Sequence, residues 1–571
     1  MKELYKSNAK CLIVQSKFSA FSFWNYIEVC KLVDAKYPAA PLGLMTVAAL
    51  LPQHWEFKLI DENVEELLDE HFKWADIVCT GGMLPQQKGM LKIIERAHSA
   101  GLPVVIGGPD PTAQPEIYKD ADYLVSREGE LTIPMFLKDL QKGAKKGVYI
   151  DDTMADMTKS PIPRYDLINF KNYIHVGIQY SRGCPFICEF CDIIELYGRK
   201  PRTKTTEQVL AELDVLYKLG YRGHVDFVDD NFIGNKNNVK KALPEIYKWS
   251  KEHGFPFFFT TEASINLADD DALLDMMKQC DFRFVFIGIE TPDDDLLVEM
   301  GKRQNVNKPI KESILKIYQH GMVVNGGFIM GFDNEKSDIA DRMIEFVQDT
   351  GITLTMLGTL YALPNTQLTR RLRKEGRLFE EGSSLEEDTS IDQLTSGLNF
   401  LTKRPRLEIL KDYARVIEYI YNPKRYFERV IYTSLNIKVD YKFKPTFKEK
   451  IFYLKSFLRV TAKLGFNSIT GIHYWKMIFL TLFKNIKGIE AAVNLAAMYI
   501  HFYTQSKFIV KLTRDKINEV ENHGEDKYND RMKKTTAVKK TEKNKSKTTM
   551  IKAKPQTKGK KGKKKEFGLT A

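Results

Sequence analysis

Between Asn172 and Glu375 one pattern recurs six times: a short apolar run of strand length, followed by an amphipathic helical stretch. The runs are Ile174–Tyr180, Val225–Val228, Phe257–Thr261, Phe284–Ile289, Val323–Met330 and Leu354–Leu360. Strands joined through helices lie parallel, because a parallel pair needs a crossover connection. Six such units predict a partial barrel, related to the eight-stranded form but more open, with its chemistry at the carboxyl ends of the strands. A chain of 571 residues exceeds one such unit and predicts two or three domains.

The first strand runs straight into Ser181-Arg182-Gly183-Cys184-Pro185-Phe186-Ile187-Cys188-Glu189-Phe190-Cys191. Three thiolates within eight residues suit one soft metal centre, either zinc or an iron–sulfur cluster. A structural zinc would want a fourth protein ligand nearby. The next cysteine, Cys280, lies far off in an apolar run and reads as a core residue. On a four-iron cluster, three thiolates leave one iron open to bind a small molecule.

This C-x3-C-x2-C loop, with an aromatic just before its last cysteine, resembles the signature of the radical S-adenosylmethionine (SAM) enzymes. The resemblance implies that Cys184, Cys188 and Cys191 hold a 4Fe–4S cluster and that Phe190 lies against the adenine of SAM. It implies further that the open iron chelates SAM's methionine part and that reduction yields a 5′-deoxyadenosyl radical. An electron donor such as a flavodoxin or ferredoxin is then a required partner.

The strand ends carry the matching polar positions. Asp229-Asp230-Asn231 stands where the family usually places a Gly-Gly-Glu that holds the ammonium group of SAM, and either aspartate could accept those hydrogen bonds. Glu262 follows the third strand, Glu290 ends the fourth, and Gly327-Phe328-Ile329-Met330-Gly331 matches the family's adenine-facing Gly-x-Ile-x-Gly. Asp229, Asp230, Glu262, Glu290, Gly327 and Gly331, with Phe190, are therefore the expected SAM contacts. Arg199-Lys200-Pro201-Arg202 reads as a solvated surface patch, with steering of an anionic substrate or cover for the cluster as the other readings.

Residues 1–145 also alternate strand and helix signals, with apolar runs at Cys11–Gln15, Phe57–Ile60, Ile77–Thr80, Val104–Ile106 and Tyr123–Val125. They predict a parallel sheet covered on both faces, which binds ligands beyond its carboxyl ends. Those ends hold Asp61-Glu62-Asn63, Gly81-Gly82-Met83 and Gly107-Gly108-Pro109. With Pro41-Leu42-Gly43-Leu44, these segments resemble the cobalamin-binding domain that precedes the radical SAM domain in one large branch of the superfamily. The resemblance implies cobalamin contacts at Asp61, Glu62, Asn63, Gly81, Gly82, Gly107 and Gly108. The Asp-x-His-x-x-Gly motif, whose histidine ligates cobalt from below, is missing. His54 and His71 lack that context, so no histidine is expected beneath the cobalt.

From Arg406 to about His523 the chain is rich in Phe, Tyr, Leu and Lys, with helical periodicity. Its apolar runs are too short to span a bilayer. They read as a helical cap over the barrel, with peripheral membrane contact through Trp475–Tyr503 as the other reading. From Gly524 onward, 17 Lys and Arg against 5 Asp and Glu carry the entire net charge of +12. This lysine-rich stretch predicts a disordered basic tail. No aromatics interleave its lysines, so no specific nucleic-acid partner is expected. Seven cysteines without an apolar leader point to a reducing, cytoplasmic setting.

The expected α/β architecture is a doubly wound, Rossmann-like cobalamin-binding domain (1–145), a linker (146–171) and a partial (β/α)6 TIM-like barrel (172–380). A mainly helical domain (381–523) and the tail (524–571) follow. Its C-terminal helices and cobalamin-like half make the chain resemble the subgroup that includes the hopanoid methylases. The activity implied is cobalamin-dependent methyl transfer to an unactivated carbon of a small, lipid-like substrate. Oxidative cyclisation or carbon–carbon coupling without methylation is one alternative. A non-enzymatic iron–sulfur redox or nucleic-acid-binding protein is the other.

Overall fold

The computed structural model describes residues 1–18, 22, 25–379 and 397–532. Strands β1 (Lys10–Gln15), β3 (Glu56–Asp61), β4 (Ile77–Gly81), β5 (Val104–Gly107), β6 (Tyr123–Val125) and β7 (Gly147–Tyr149) form one sheet in the order β3-β1-β4-β5-β6-β7. Every pairing in it is parallel. Alternate side chains point to opposite faces. Cys11 and Ile13 join one apolar cluster with Met45 and Phe136, while Leu12 and Val14 join another with Met90 and Ile93. Helices thus cover both faces, as the near-continuous apolar strands predict. The strand order reverses between β1 and β4, which opens a crevice beyond their carboxyl ends. Because β7 completes this sheet, the domain extends to Tyr149, past the expected boundary at 145.

The second sheet contains β8 (Tyr173–Ile178), β11 (Gly223–Phe227), β12 (Phe257–Ala263), β13 (Phe282–Glu290), β14 (Val323–Met330) and β15 (Thr355–Thr359). It curls in the order β15-β14-β13-β12-β11-β8-β2. The six expected strands are present. The seventh, β2 (Tyr37–Ala39), comes from the N-terminal half and pairs parallel with β8. Its three residues are too few to carry a strand signal, and only the edge of β8 makes them one. A small antiparallel ribbon, β9 (Ser181–Arg182) with β10 (Arg202–Thr203), flanks the cysteine loop.

Helices Arg406–Ile420 and Pro423–Asn436 pack against the barrel, and Phe447–Gly465, Gly471–Lys484 and Ile489–His523 pack on them and on one another. Residues 525–532 are also helical, and Tyr528 and Met532 are buried with Phe379 and Val520. The ordered helical part therefore runs past the tail boundary expected at Gly524. The lysine-rich run Lys533–Lys565 lies outside the described residues. No helix among the described residues is long and apolar enough to cross a membrane. The stretch Ala491–Phe502 buries Ala491, Leu495, Ala496 and Phe502 completely, so half of the segment considered for a membrane surface is core.

Candidate functional site

The cysteine loop is held by its backbone. Gly183 has φ 93°, and a Cβ there would stand 2.9 Å from the Gly198 carbonyl oxygen, so the turn into Cys184 admits only glycine. Asp229 accepts hydrogen bonds from the Tyr180 amide (2.8 Å), the Ser181 amide (2.9 Å) and the Ser181 hydroxyl (2.7 Å). Asp230 accepts the Gly183 amide at 2.8 Å. On the far side the Glu189 amide donates to the Met300 carbonyl, and its carboxylate pairs with Arg371 at 2.8 Å.

Cys188 is buried, while Cys184 and Cys191 are partly exposed by residue. Burial pushes all three thiols up; the Lys302 ammonium opposes this at Cys188, where the Gln304 side-chain amide also reaches the sulfur at 3.9 Å. No group of three or more His, Cys, Asp or Glu among the described residues surrounds one point as ligands of a single ion do. In a cubane each thiolate binds its own iron, whereas the thiolates of a zinc site share one ion with sulfurs about 2.3 Å from it. The donor set is all thiolate, which suits iron–sulfur. The remaining cysteines, Cys11, Cys30, Cys79 and Cys280, are buried, and Cys280 contacts the Leu243 carbonyl as a core residue.

Between the two sheets lies a cavity of about 2400 Å³. Drug-sized ligands fill about 300–1,000 Å³, so this space accepts more than one large molecule. Its N-terminal wall includes the turns Pro41 to Leu44, Gly81 to Met83 and Gly107 to Pro109, beside apolar side chains such as Leu50, Ile133 and Phe136. Gly108 has φ 98°, and a Cβ there would lie 2.9 Å from the Gly82 nitrogen; one at Gly81 would lie 2.6 Å from the Gly107 oxygen. These glycines let the two loops close on each other as well as on a ligand. Asp61, Glu62 and Asn63 do not line the cavity. Asp61 is buried, bonded to the Tyr173 hydroxyl (3.0 Å) and Asn63, and Asn63 accepts the Phe18 amide. His54 and His71 bond to Tyr5 and Leu68 and stay away from it, and the wall contributed by this domain contains no histidine.

The barrel wall is charged. Asp226, Asp229, Asp230 and Glu262 line it together. Burial, reinforced by the neighbouring acids, pushes the Glu262 carboxyl up to about 8 and Asp229 up to about 7. Phe190, Glu290, Gly327 and Gly331 do not line the cavity. Phe190 packs edge-on against Phe332, Glu290 is bound to Lys302 beneath the cysteine loop, and Cβ atoms at Gly327 and Gly331 would meet Phe286 and Leu398. Deeper in the barrel, His224 hydrogen-bonds Thr260 (2.7 Å), which bonds Asp226. His175 stacks on His224 and leaves Nδ1 without a partner, as does Asn325 at Oδ1. The sequence reading passed over this polar floor.

One arginine expected in a solvated patch is not solvated. Arg202 is largely buried and pairs with Glu128 at 2.9 Å, while Arg199 and Lys200 stay exposed. Arg182 pairs with Glu128 (2.7 Å) and Glu130 (3.0 Å). Two glutamates of the N-terminal domain thus grip the ribbon that carries the cysteine loop. Only the position of Arg182 next to the cysteines hinted at this; nothing near Glu128 did.

A doubly wound domain facing a three-cysteine partial barrel across one cavity defines a two-cofactor enzyme class. Residues 30–137 match the B12 binding domain model, 178–347 the radical SAM superfamily model, and 366–514 a domain of unknown function, DUF4070. An uncharacterized methyltransferase of Synechocystis sp. is 42% identical over 484 residues, spanning 84% of this chain and 89% of the relative. The hopanoid C-2 methylase of Rhodopseudomonas palustris is 41% identical over 342 residues, 59% of this chain and 65% of that protein. The cobalamin-dependent radical enzyme OxsB, solved with aqua-cobalamin, shares the fold at TM-score 0.57 and 16% identity, over 95% of this chain and 85% of that one. TsrM from Kitasatospora setae, solved with cobalamin and a [4Fe-4S] cluster, does so at 0.56 and 14%, over 85% and 99%. The chain belongs to the radical SAM enzymes with a B12-binding domain, and it is similar to a hopanoid methylase. It is an enzyme, and the cofactors of its family are SAM, a 4Fe–4S cluster and cobalamin.

Proposed function

We propose that the chain methylates an unactivated carbon of a hydrophobic, lipid-like substrate. The observation that carries this reading is the single cavity shared by the glycine wall and the carboxylate wall, large enough for a corrin, SAM and substrate together. When bound, the cluster and SAM supply hydrogen abstraction, and the corrinoid supplies the methyl group. Cys184, Cys188 and Cys191 hold the cluster. Asp229 spends its acceptor capacity on Tyr180 and Ser181 and shapes the loop. Asp230 and Glu262 are left to face the ammonium and ribose groups of SAM. Phe190, Glu290, Gly327 and Gly331 support that site from behind. Gly81, Gly82, Gly107 and Gly108 bear the corrin, and Asp61, Glu62 and Asn63 brace the strand end beside it. The polar floor at His224, Thr260, Asp226 and Asn325 fits one hydrogen-bonding group of an otherwise apolar substrate. A flavodoxin or ferredoxin delivers the electron, and the enzyme works in the cytoplasm or peripherally at the membrane.

The test is anaerobic purification with iron and cobalt analysis, then mass spectrometry of products from cell lipid extracts. A product heavier by one methylene is the expected result. Loss of hydrogens instead would replace methylation by oxidative cyclisation or coupling. Absence of 5′-deoxyadenosine would remove the radical reading altogether.

A further inference from the structure

Large apolar side chains are exposed in one place out of proportion to the rest of the surface. Twelve of the 23 exposed large apolar residues among the described residues fall between Phe447 and Ile486. Scattered exposure of this kind is ordinary, but a contiguous patch marks an interaction surface. On helix Phe447–Gly465 the exposed positions Phe447, Ile451, Leu454 and Leu458 follow the spacing i, i+4, i+7, i+11 and so form one stripe. The turn and the next helix add Phe466, Ile472 and Phe483, which are 80%, 76% and 86% exposed. Phe466 meets the Trp475 ring edge-on at 6.4 Å, and all three side chains are turned mainly to solvent.

The charge around the stripe is one-sided. From Phe447 to Lys487 the chain has eight Lys and Arg and a single acid, Glu449. Glu449 is committed to the helix cap, where it accepts the Thr446 amide. Among the described residues, Arg459 and Lys463 alone of the eight cations reach an acid, at Asp34 and Glu28. Apolar side chains ringed by free lysines match the headgroup boundary of an anionic bilayer, where an amphipathic helix lies in the plane without crossing it. A protein partner would need a matching acidic rim, and the patch has no acid to offer a second copy of itself.

The opposite face of the same helix turns inward. Phe452, Ser456, Phe457 and Val460 line the cavity. One helix therefore separates the substrate space from the exposed stripe. We infer that the helical hairpin Phe447–Ile486 docks on an anionic lipid surface and sets the cavity mouth against the bilayer. The docking stands on the patch itself; its use as the entrance for an apolar substrate rests on the proposed lipid methylation.

Flotation of the full-length protein with vesicles tests this, using phosphatidylcholine and phosphatidylglycerol in equal parts beside phosphatidylcholine alone. The mixed vesicles should carry the protein, with a blue shift of tryptophan emission from Trp475 in the hairpin. The triple variant Phe466→Ser, Ile472→Ser, Phe483→Ser should keep its iron content and circular dichroism and lose roughly a hundredfold in vesicle affinity. High salt should weaken wild-type binding and leave a residual apolar component, because only the lysine contacts are screened. Equal binding of variant and wild type, or complete release by salt, would assign attachment to the basic tail and overturn the inference. Wild-type dimerisation without lipid, abolished in the variant, would make the patch a protein interface. Methylation is scored separately on detergent-dispersed substrate, so wild-type protein that methylates yet fails to float with the mixed vesicles removes the docking surface and leaves the function standing.

Discussion

Two parallel sheets face each other across the cavity and furnish it in opposite ways. The N-terminal half presents glycine turns after β4 and β5 beside apolar side chains such as Leu50, Ile133 and Phe136, with no histidine. Its lining acids Asp110, Glu128 and Glu130 are bonded to partners of their own. The barrel sheet presents charge: Asp226, Asp229, Asp230 and Glu262, with burial first and then the three aspartates raising the Glu262 carboxyl. A wall of glycine turns and apolar side chains recognises a large ligand by shape, so added volume harms it more than altered charge does. A carboxylate wall recognises by charge and hydrogen bonding, so isosteric neutralisation harms it more than volume does. Glu128 and Glu130 tie the two together through Arg182 and Arg202.

The largest effect falls on the cysteine loop. Replacing Cys184, Cys188 and Cys191 by Ala should abolish iron binding and SAM cleavage, whereas Cys280→Ala should spare both. Iron retained by the triple variant would refute the ligand assignment.

Next is the shape wall. Gly108→Leu puts a side chain against the Gly82 backbone from a left-handed φ, a strain of about 1–3 kcal/mol, and fills the corrin face. Bound cobalt should drop to background while iron stays at the wild-type level. Parallel loss of both metals would mean that the two walls are not independent.

The latch comes third. Glu128→Gln leaves two buried guanidinium groups short of charge, and breaking such pairs costs about 3–5 kcal/mol. Thermal unfolding should shift down or split into two transitions, which calorimetry resolves. An unchanged single transition would show that the apolar core alone joins the domains.

A smaller effect tests the charged wall by pH. Folding raises the Glu262 carboxyl from its usual range to about 8. A group that binds its proton more tightly when folded contributes stability below its unfolded pKa and loses it as the pH rises through the folded value. Melting temperature in wild type should therefore fall between about pH 4.5 and pH 8 more steeply than in Glu262→Gln. Parallel profiles would place Glu262 in a wetter setting. The smallest effect belongs to the tail: deletion of residues 533–571 should leave iron content and SAM cleavage unchanged, as assayed anaerobically.

The strand–helix alternation, both parallel sheets, the cysteine loop and the burial of Cys280 were legible in the sequence. They rest on local periodicity and spacing, which neighbouring residues encode. Strand β2 was not, because three residues acquire their structure from the edge of β8. Nor was Arg202, whose partner Glu128 lies 74 positions away and whose charge reads as solvated until the ribbon folds onto the N-terminal domain. Asp61 and Asp229 both stand at strand ends, and only Asp229 lines the cavity. Tertiary contacts gave Asp61 to Tyr173 and Asp229 to the backbone before the cysteines. Sequence spacing decided which elements form and which chemistry they carry. Only the packed structure decided which polar groups are consumed by each other and which face the cavity, because that choice depends on partners the chain brings together from afar.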